Sequence, residues 1–470
     1  VPRIAFVVLL LCIPLTALAA AGPINEPLAR HINADVEAIL QRTGTPGATI
    51  LISQNGHVVY RHAYGVRDRK SGSAAMVDTC FEIGSITKQF TAAAILQLQD
   101  AGKLHLDDKL AIYLPRAPHA SEVSLRQLLS HTSGMPEYLD AVDQAKLINK
   151  PATFDQLMSY IADKPLDFSP GSRWSYSNTG YILAGRVIEV VSHESYQHYI
   201  QTHLLDPAGM THTFTAAEES RLQNMALGYS NDSGRPERAA TIDATVGWAA
   251  GFLVSTVDDL EKWNVALRAG KIVTKADFAL MSKSVQTSAQ GDAGYGLGLF
   301  VGTVDGQPRV GHTGGSLGFT AANEYFPAQG TQIIAFTNLK SDPEPGEMIT
   351  NAIFEDLNPA VTAAAMQSSA GEDLALTERA KAVFAQLQAG TENSPYLTAK
   401  LNSKMKAGLA KHLAEGLHGY GPANRFVFKG THQQAGLTFY DYVIRFGPGS
   451  LFKFGVALDK SGAIGSLSFG

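Results

Sequence analysis

Disulfides are the first thing this sequence lacks. It has two cysteines in 470 residues. Cys12 sits in the N-terminal apolar run and Cys80 stands alone in the rest of the chain, so no intramolecular disulfide is expected in a processed protein. An exported chain without disulfides has to rely on its core. Cys80 lies in an apolar stretch and reads as a small buried hydrophobe. A membrane-length hydrophobic run is also missing. Ile4–Leu15 is apolar but shorter than the ~20 residues a span needs. Arg3 precedes that run and Ala17-Leu18-Ala19 follows it, the layout of a cleavable signal peptide over residues 1–20. The leucines before Cys12 do not form a lipoprotein box. The expectation is an exported protein, periplasmic or secreted, with no transmembrane anchor in the mature chain.

Excess positive charge is lacking too. Lys and Arg total 38 against 43 Asp and Glu, for a net charge of −5 without long runs. That excludes a basic nucleic-acid footprint. No G-x-G-x-x-G occurs, so no dinucleotide is expected. His193 and His198 are five residues apart rather than the four that place two ligands on one helix face. No metal and no cofactor are expected, and no internal repeat is visible.

What is present is an ordinary globular balance, 45% hydrophobic and 17% charged. Apolar residues at helical spacing (Ile32, Val36, Ile39, Leu40) predict a helix over 28–42. ATILIS and HVVYRHAYG flank Asn55-Gly56, which predicts a β-hairpin over 47–66. A helix is expected from Ser85 to about Asp100, stopped by Gly102. Residues 105–290 read as mainly helical, and strand-like runs return at 295–302, 307–311, 319–327 and 331–338. Strands at both ends with a helical insert predict an α+β fold, one antiparallel sheet flanked by helices, with a cleft between sheet and insert. The domain runs over 24–357. Residues 358–373 are small and polar and read as a linker. Residues 374–470 read as a small separable α+β domain, with helices over 374–389 and 396–416 and then an antiparallel sheet. Its order looks like a cystatin-like or nuclear-transport-factor-like cone, and its role stays open.

Four segments carry candidate chemistry. In Gly84-Ser85-Ile86-Thr87-Lys88, Ser85 and Lys88 are three apart, on one helix face. A serine hydroxyl needs a base, and a buried lysine can serve as one. Tyr176-Ser177-Asn178 follows a Pro-Gly-Ser turn that would lift it into a loop. Tyr176 offers a proton carrier and Asn178 an amide that can bind substrate or Lys88. Gly311-His312-Thr313-Gly314-Gly315 interrupts a strand-rich region and, taken alone, reads as a bulge or turn. Gly247–Thr256 reads as a tight loop near a cleft that enters a helix capped by Ser255 or Thr256.

In this order and spacing the segments resemble the serine β-lactamase and penicillin-binding-protein family, over roughly residues 28–355. Leu128–Gly134, Asp107-Asp108 leading to Tyr113-Leu114-Pro115, and the Gly251–Ser255 stretch add to the likeness. The resemblance implies Ser85 as acylated nucleophile, with Lys88 and Tyr176 sharing proton transfer. It implies a His-Thr-Gly strand that closes the site and an oxyanion hole from the N–H groups of Ser85 and of Gly315, the latter on the edge strand, with substrate bound by Asn178, His312, Thr313 and Gly314. His312 stands where β-lactamases usually carry Lys. That looks like the D-alanyl-D-alanine carboxypeptidase and D-aminopeptidase side of the family. Carboxylesterase or weak β-lactamase activity would use the same site, and a non-catalytic penicillin-recognising binding module is the reading of another class. The substrate is expected to be a small peptide, ester or β-lactam. A charged His312 would read a substrate carboxylate, with binding that weakens from about pH 6 to 8. Failing that, it would donate a hydrogen bond to Ser85 or Tyr176. His131 reads as structural, since Lys88 and Tyr176 already fill its role.

Overall fold

A computed structural model describes residues 22–215, 222, 224–231, 234–289, 291–434 and 436–469. The expected signal peptide lies outside the described residues. Helix α1 (Glu26–Thr43) is capped by Asn25, whose side chain accepts from the Leu28 N–H, and ends at Gly44 with φ +74°. It buries Ile32, Val36, Ile39 and Leu40, the stripe expected from their spacing. Strands β1 (Gly47–Gln54) and β2 (His57–Asp68) form the hairpin. Asn55 and Gly56 turn it at φ +52° and +79°, the backbone that a tight two-residue hairpin demands.

A single 3-10 turn, Gly84–Ile86, leads into α2 (Thr87–Asp100). Eleven of the fourteen residues of α2 are buried, so it runs through the core instead of lying on it. The helical region continues with α3 (Asn178–Ser192), α4 (Ala244–Gly251) and α5 (Val257–Ala269). Thr256 caps α5 by accepting from the Asp259 N–H. Trp263 of α5 stacks on Phe90 of α2 with ring centroids 3.9 Å apart.

The chain then adds β3 (Phe300–Val304), β4 (Gln307–Gly315), β5 (Thr320–Phe326) and β6 (Thr331–Thr337). With the hairpin and the short strand Ser73–Ala74 they make one antiparallel sheet, in the order β3-β4-β5-β6-β1-β2 and then Ser73–Ala74. β1 and β6 join the two sequence ends, Ile50 opposite Ala335 and Ile52 opposite Ile333. Helix α6 (Pro345–Leu357) and α1 cover one face over Ile50, Ile52, Ile333 and Ala335. Leu51, Ile334 and Phe336 point the other way, into the helical region. Both faces are buried, which is why ATILIS is an apolar run and does not alternate with polar residues. Each fully buried Leu, Ile or Phe contributes about 1.5–3 kcal/mol. This is the expected α+β layout.

The Gly311–Gly315 segment, which taken alone reads as a bulge, is the strand that the resemblance implies: it continues β4, with His312 opposite Asn323 and Thr313 opposite Ala322. Two expectations need correction. β4 is not the edge strand, because β3 pairs outside it. The 358–373 segment is only partly a linker, because α7 (Pro359–Ala365) occupies its first half. Pro359 falls in the first turn, where its missing N–H costs nothing, and small alanines follow.

Beyond it, α8 (Leu374–Gln388) lies against an antiparallel sheet of β7 (Arg425–Gln434), β8 (Leu437–Gly447), β9 (Ser450–Leu458) and β10 (Ile464–Phe469). Phe384 of α8 meets Phe426, Phe446, Phe452 and Phe454, so this unit has its own core. It docks on the larger unit through polar contacts. Arg445 reaches Asp305 at 2.6 Å and also pairs with Glu355. The Arg42 guanidinium donates to the carbonyls of Phe446 and Pro448 at 3.3 and 3.4 Å.

Candidate active site

The 3-10 turn places Ser85 at the head of α2, one turn before Lys88. Lys88 is fully buried, yet all three of its N–H donors have acceptors: Ser85 Oγ at 3.0 Å, Asn178 Oδ1 at 2.8 Å and the Ala250 carbonyl at 2.6 Å. Burial disfavours the ammonium and pushes its pKa down to about 7, opposed by the negative charge of Glu137. A neutral amine fits the same cage. Two N–H bonds still serve Asn178 and Ala250, and the lone pair faces Ser85.

Tyr176 donates to Ser85 Oγ at 2.7 Å. Burial raises the phenol above its ordinary value, so it keeps its proton at neutral pH. Behind it the His131 ring packs at 4.2 Å between centroids, and His131 Nδ1 accepts from the Ser177 N–H at 3.1 Å. Burial holds His131 neutral, and the ring braces Tyr176 from behind. Asn178 is the first residue of α3 and so is not on a loop.

The glycines explain how β4 reaches the nucleophile. A Cβ on Gly314 would overlap the Ile83 carbonyl, and one on Gly84 would stand 2.7 Å from Gly315 N. Backbone therefore runs directly against backbone, and the N–H groups of Ser85 and Gly315 belong to these facing segments. Gly315 is exposed and Ser85, Tyr176, Asn178 and Thr313 are partly so, which leaves a cleft that substrate can enter.

His312 lies beside this cleft but does not open into it. It is 1% exposed. Its Nδ1 donates to the Thr313 carbonyl, and its Nε2 accepts from the Tyr295 hydroxyl at 2.8 Å. Burial, and then the charge of Lys88, push its pKa down to about 3. The imidazole is neutral at every ordinary pH and both nitrogens are engaged. In this arrangement it can serve neither as a cation for a substrate carboxylate nor as a donor to Ser85 or Tyr176.

Sequence reasoning missed two contributors. Glu137 accepts from the Asn178 backbone N–H and, at 3.3 Å, from its side-chain amide, and its charge acts on Lys88. The Ala250 carbonyl reaches Lys88 because α4 kinks at Trp248, a non-glycine residue at φ +32°. Nothing local marked Glu137, whereas Ala250 lies in the Gly247–Thr256 segment singled out from the sequence, though as a tight loop rather than the end of the helix that it forms. Among the described residues one His/carboxylate group has ligand-like spacing, His31 with Asp35 and Asp356. It belongs to α1 and α6 on the opposite face of the sheet.

A Ser-x-x-Lys helix head, a Tyr-x-Asn partner and a His-Thr-Gly strand, mounted between sheet and helical insert, define a serine hydrolase of penicillin-recognising architecture. The Beta-lactamase family matches residues 32–357, and the chain belongs to that family. The Bacillus subtilis protein PbpX is 29% identical over 326 residues, which is 69% of this chain and 78% of PbpX. A D-stereospecific amidohydrolase from Streptomyces shares the fold with a TM-score of 0.60 and 28% identity, over 69% of this chain and 98% of that one. The octameric penicillin-binding protein homologue from Pyrococcus abyssi has a TM-score of 0.63 at 24% identity. It spans 92% of this chain and 96% of its own, so that likeness of fold takes in the C-terminal unit. No helix among the described residues is long and apolar enough to cross a membrane.

Proposed function

We propose that the protein hydrolyses amides or esters through an acyl-enzyme on Ser85. The convergence of Lys88 and Tyr176 on one serine oxygen carries this reading. The substrate carbonyl oxygen lies between the N–H groups of Ser85 and Gly315, where the tetrahedral oxyanion is stabilised. Neutral Lys88 takes the Ser85 proton as Oγ bonds to the carbonyl carbon. The Tyr176 phenol, protonated at neutral pH, supplies the proton to the leaving group as its bond to carbon breaks. Lys88 restores that proton, and in deacylation water attacks while the same groups return a proton to Ser85.

The enclosed, neutral His312 bears on the substrate. A D-alanyl-D-alanine carboxypeptidase or a β-lactamase has to hold a carboxylate on the leaving side. With no charge on His312, we favour the D-aminopeptidase, amidase or esterase type, with a neutral leaving group. The Streptomyces amidohydrolase supports that choice as a relative. A panel of D-aminoacyl amides, p-nitrophenyl esters, D-Ala-D-Ala peptides and nitrocefin, run beside Ser85→Ala, tests it. Neutral amides and esters should be turned over with an adduct on Ser85 in intact-mass spectra. An adduct that persists in Ser85→Ala, or a preference for the carboxylate-bearing peptides, would refute it.

A further inference from the structure

The rim of the cleft at Gly315 carries an ion pair with no part in the reaction above. Lys340 and Glu344 pair with each other, their side chains 41% and 29% exposed. A Cβ on Gly315 would stand 3.3 Å from Lys340 Nζ and 3.4 Å from Glu344 Oε1, so these are the first charged groups beyond the oxyanion hole. Glu344 is near enough to Tyr176 for its charge to act on the phenol. Glu344 also lines a cavity of about 700 Å³ between the two units, with Arg309, Asp342, Glu347, Lys429 and Phe452. Arg309 is occupied by Glu324 and Glu347, so it does not compete for Glu344.

A carbonyl oxygen held by the Gly315 N–H brings the acyl α-carbon and its substituents next to Gly315. An α-ammonium there meets Glu344. We propose that Glu344 reads a free α-ammonium on the acyl side of the substrate and that Lys340 occupies the carboxylate when substrate is absent. The preferred substrates are then aminoacyl amides and esters with an unblocked amine, and the cavity beyond Glu344 leaves room on that side. This rests on the acyl-enzyme reading and narrows its substrate class.

The test compares kcat/KM for an aminoacyl p-nitroanilide with that for its N-acetyl form, in wild type, Glu344→Gln and Lys340→Gln. A hydrogen bond to a charged group is worth about 1.5–3 kcal/mol, so the free-amine preference should fall roughly 10- to 100-fold in Glu344→Gln. It should rise in Lys340→Gln, where the carboxylate is released. Both variants break the same ion pair, so a purely structural role would move the preference the same way in each. That result, or a preference in Glu344→Gln within about twofold of wild type, would overturn the assignment. Labelling of wild type by p-nitrophenyl acetate separates this from the underlying reading. An adduct on Ser85 keeps the acyl-enzyme in place whatever the ratio does, and no adduct on Ser85 removes both.

Discussion

Lys88 sets the pH response at the scale of single residues. Burial brings its pKa down to about 7, so the ammonium dominates below that pH and the amine that accepts the Ser85 proton dominates above it. The acylation rate should climb from pH 6 to 8 with a midpoint near 7. His312, pushed down to about 3, changes no charge over that range. The falling limb expected for carboxylate-bearing substrates is therefore withdrawn, and peptide and ester profiles should both rise. Stopped-flow acylation with one substrate of each kind checks this, and a bell confined to the peptide would restore charge to His312. Tyr176→Phe keeps the ring that packs on His131 and removes the proton carrier. It should lower kcat by ~10²–10⁴ with little change in KM.

The decisive contact at the scale of elements is the crossing of β4 over the turn before α2. Gly314 is there because a side chain would collide with the Ile83 carbonyl, and Ser85 N lies only 3.2 Å from where that Cβ would stand. Gly314→Ala should push β4 off Ser85 and widen the oxyanion hole, cutting acylation by about 10²-fold or more, the worth of one oxyanion donor. Gly302→Ala, on neighbouring β3 where a Cβ meets nothing within 4 Å, is the control. Equal acylation rates in the two variants would mean that the crossing does not shape the site. Taken alone, the run Gly311–Gly315 could be a turn, since glycine fits turns and close approaches equally well. Pairing to β5 selected strand; local backbone preference did not choose it, and only the likeness of His312-Thr313-Gly314 to the family motif pointed to it.

The question at the scale of the whole molecule is how the C-terminal unit is held. Arg445 is 5% exposed and bridges Asp305, at the tip of the β3–β4 hairpin, to Glu355 on α6. Arg445→Met would leave two enclosed carboxylates without a cation and should cost about 3–5 kcal/mol. Burial raises Glu355 to about 7, despite Arg445. A raised carboxyl pKa means that the folded state holds its proton above the unfolded value of 4.5. That contribution favours folding below about 4.5 and is lost as pH rises through about 7. Denaturation midpoints of Arg445→Met should therefore fall further below wild type at pH 8 than at pH 5, and a pH-independent difference would place Glu355 outside the effect. Among the described residues, the hydrogen bonds around Ser85 and Lys88 come from Tyr176, Asn178 and Ala250 of the larger unit. We expect a fragment ending at residue 357 to remain acylable. We also expect proteolysis between 370 and 373, because the Ala365 carbonyl and the Ser369 N–H tie the stretch before it to Lys429 and to the Phe428 carbonyl.

The sequence by itself determined what depends on neighbours along the chain. Asn55-Gly56 set the hairpin, Ile32 to Leu40 set the buried stripe of α1, and the spacing of Ser85 and Lys88 set their shared face. These follow from backbone preference and side-chain period, which act over a few residues. Only the tertiary structure decided the charges. His312 became a neutral ring, Lys88 came to titrate near neutrality, and Glu137 and Ala250 entered the site from distant segments. Desolvation and Coulomb energy depend on what packs against a group in space. The partners that set them lie tens to hundreds of residues away, where no local pattern reaches.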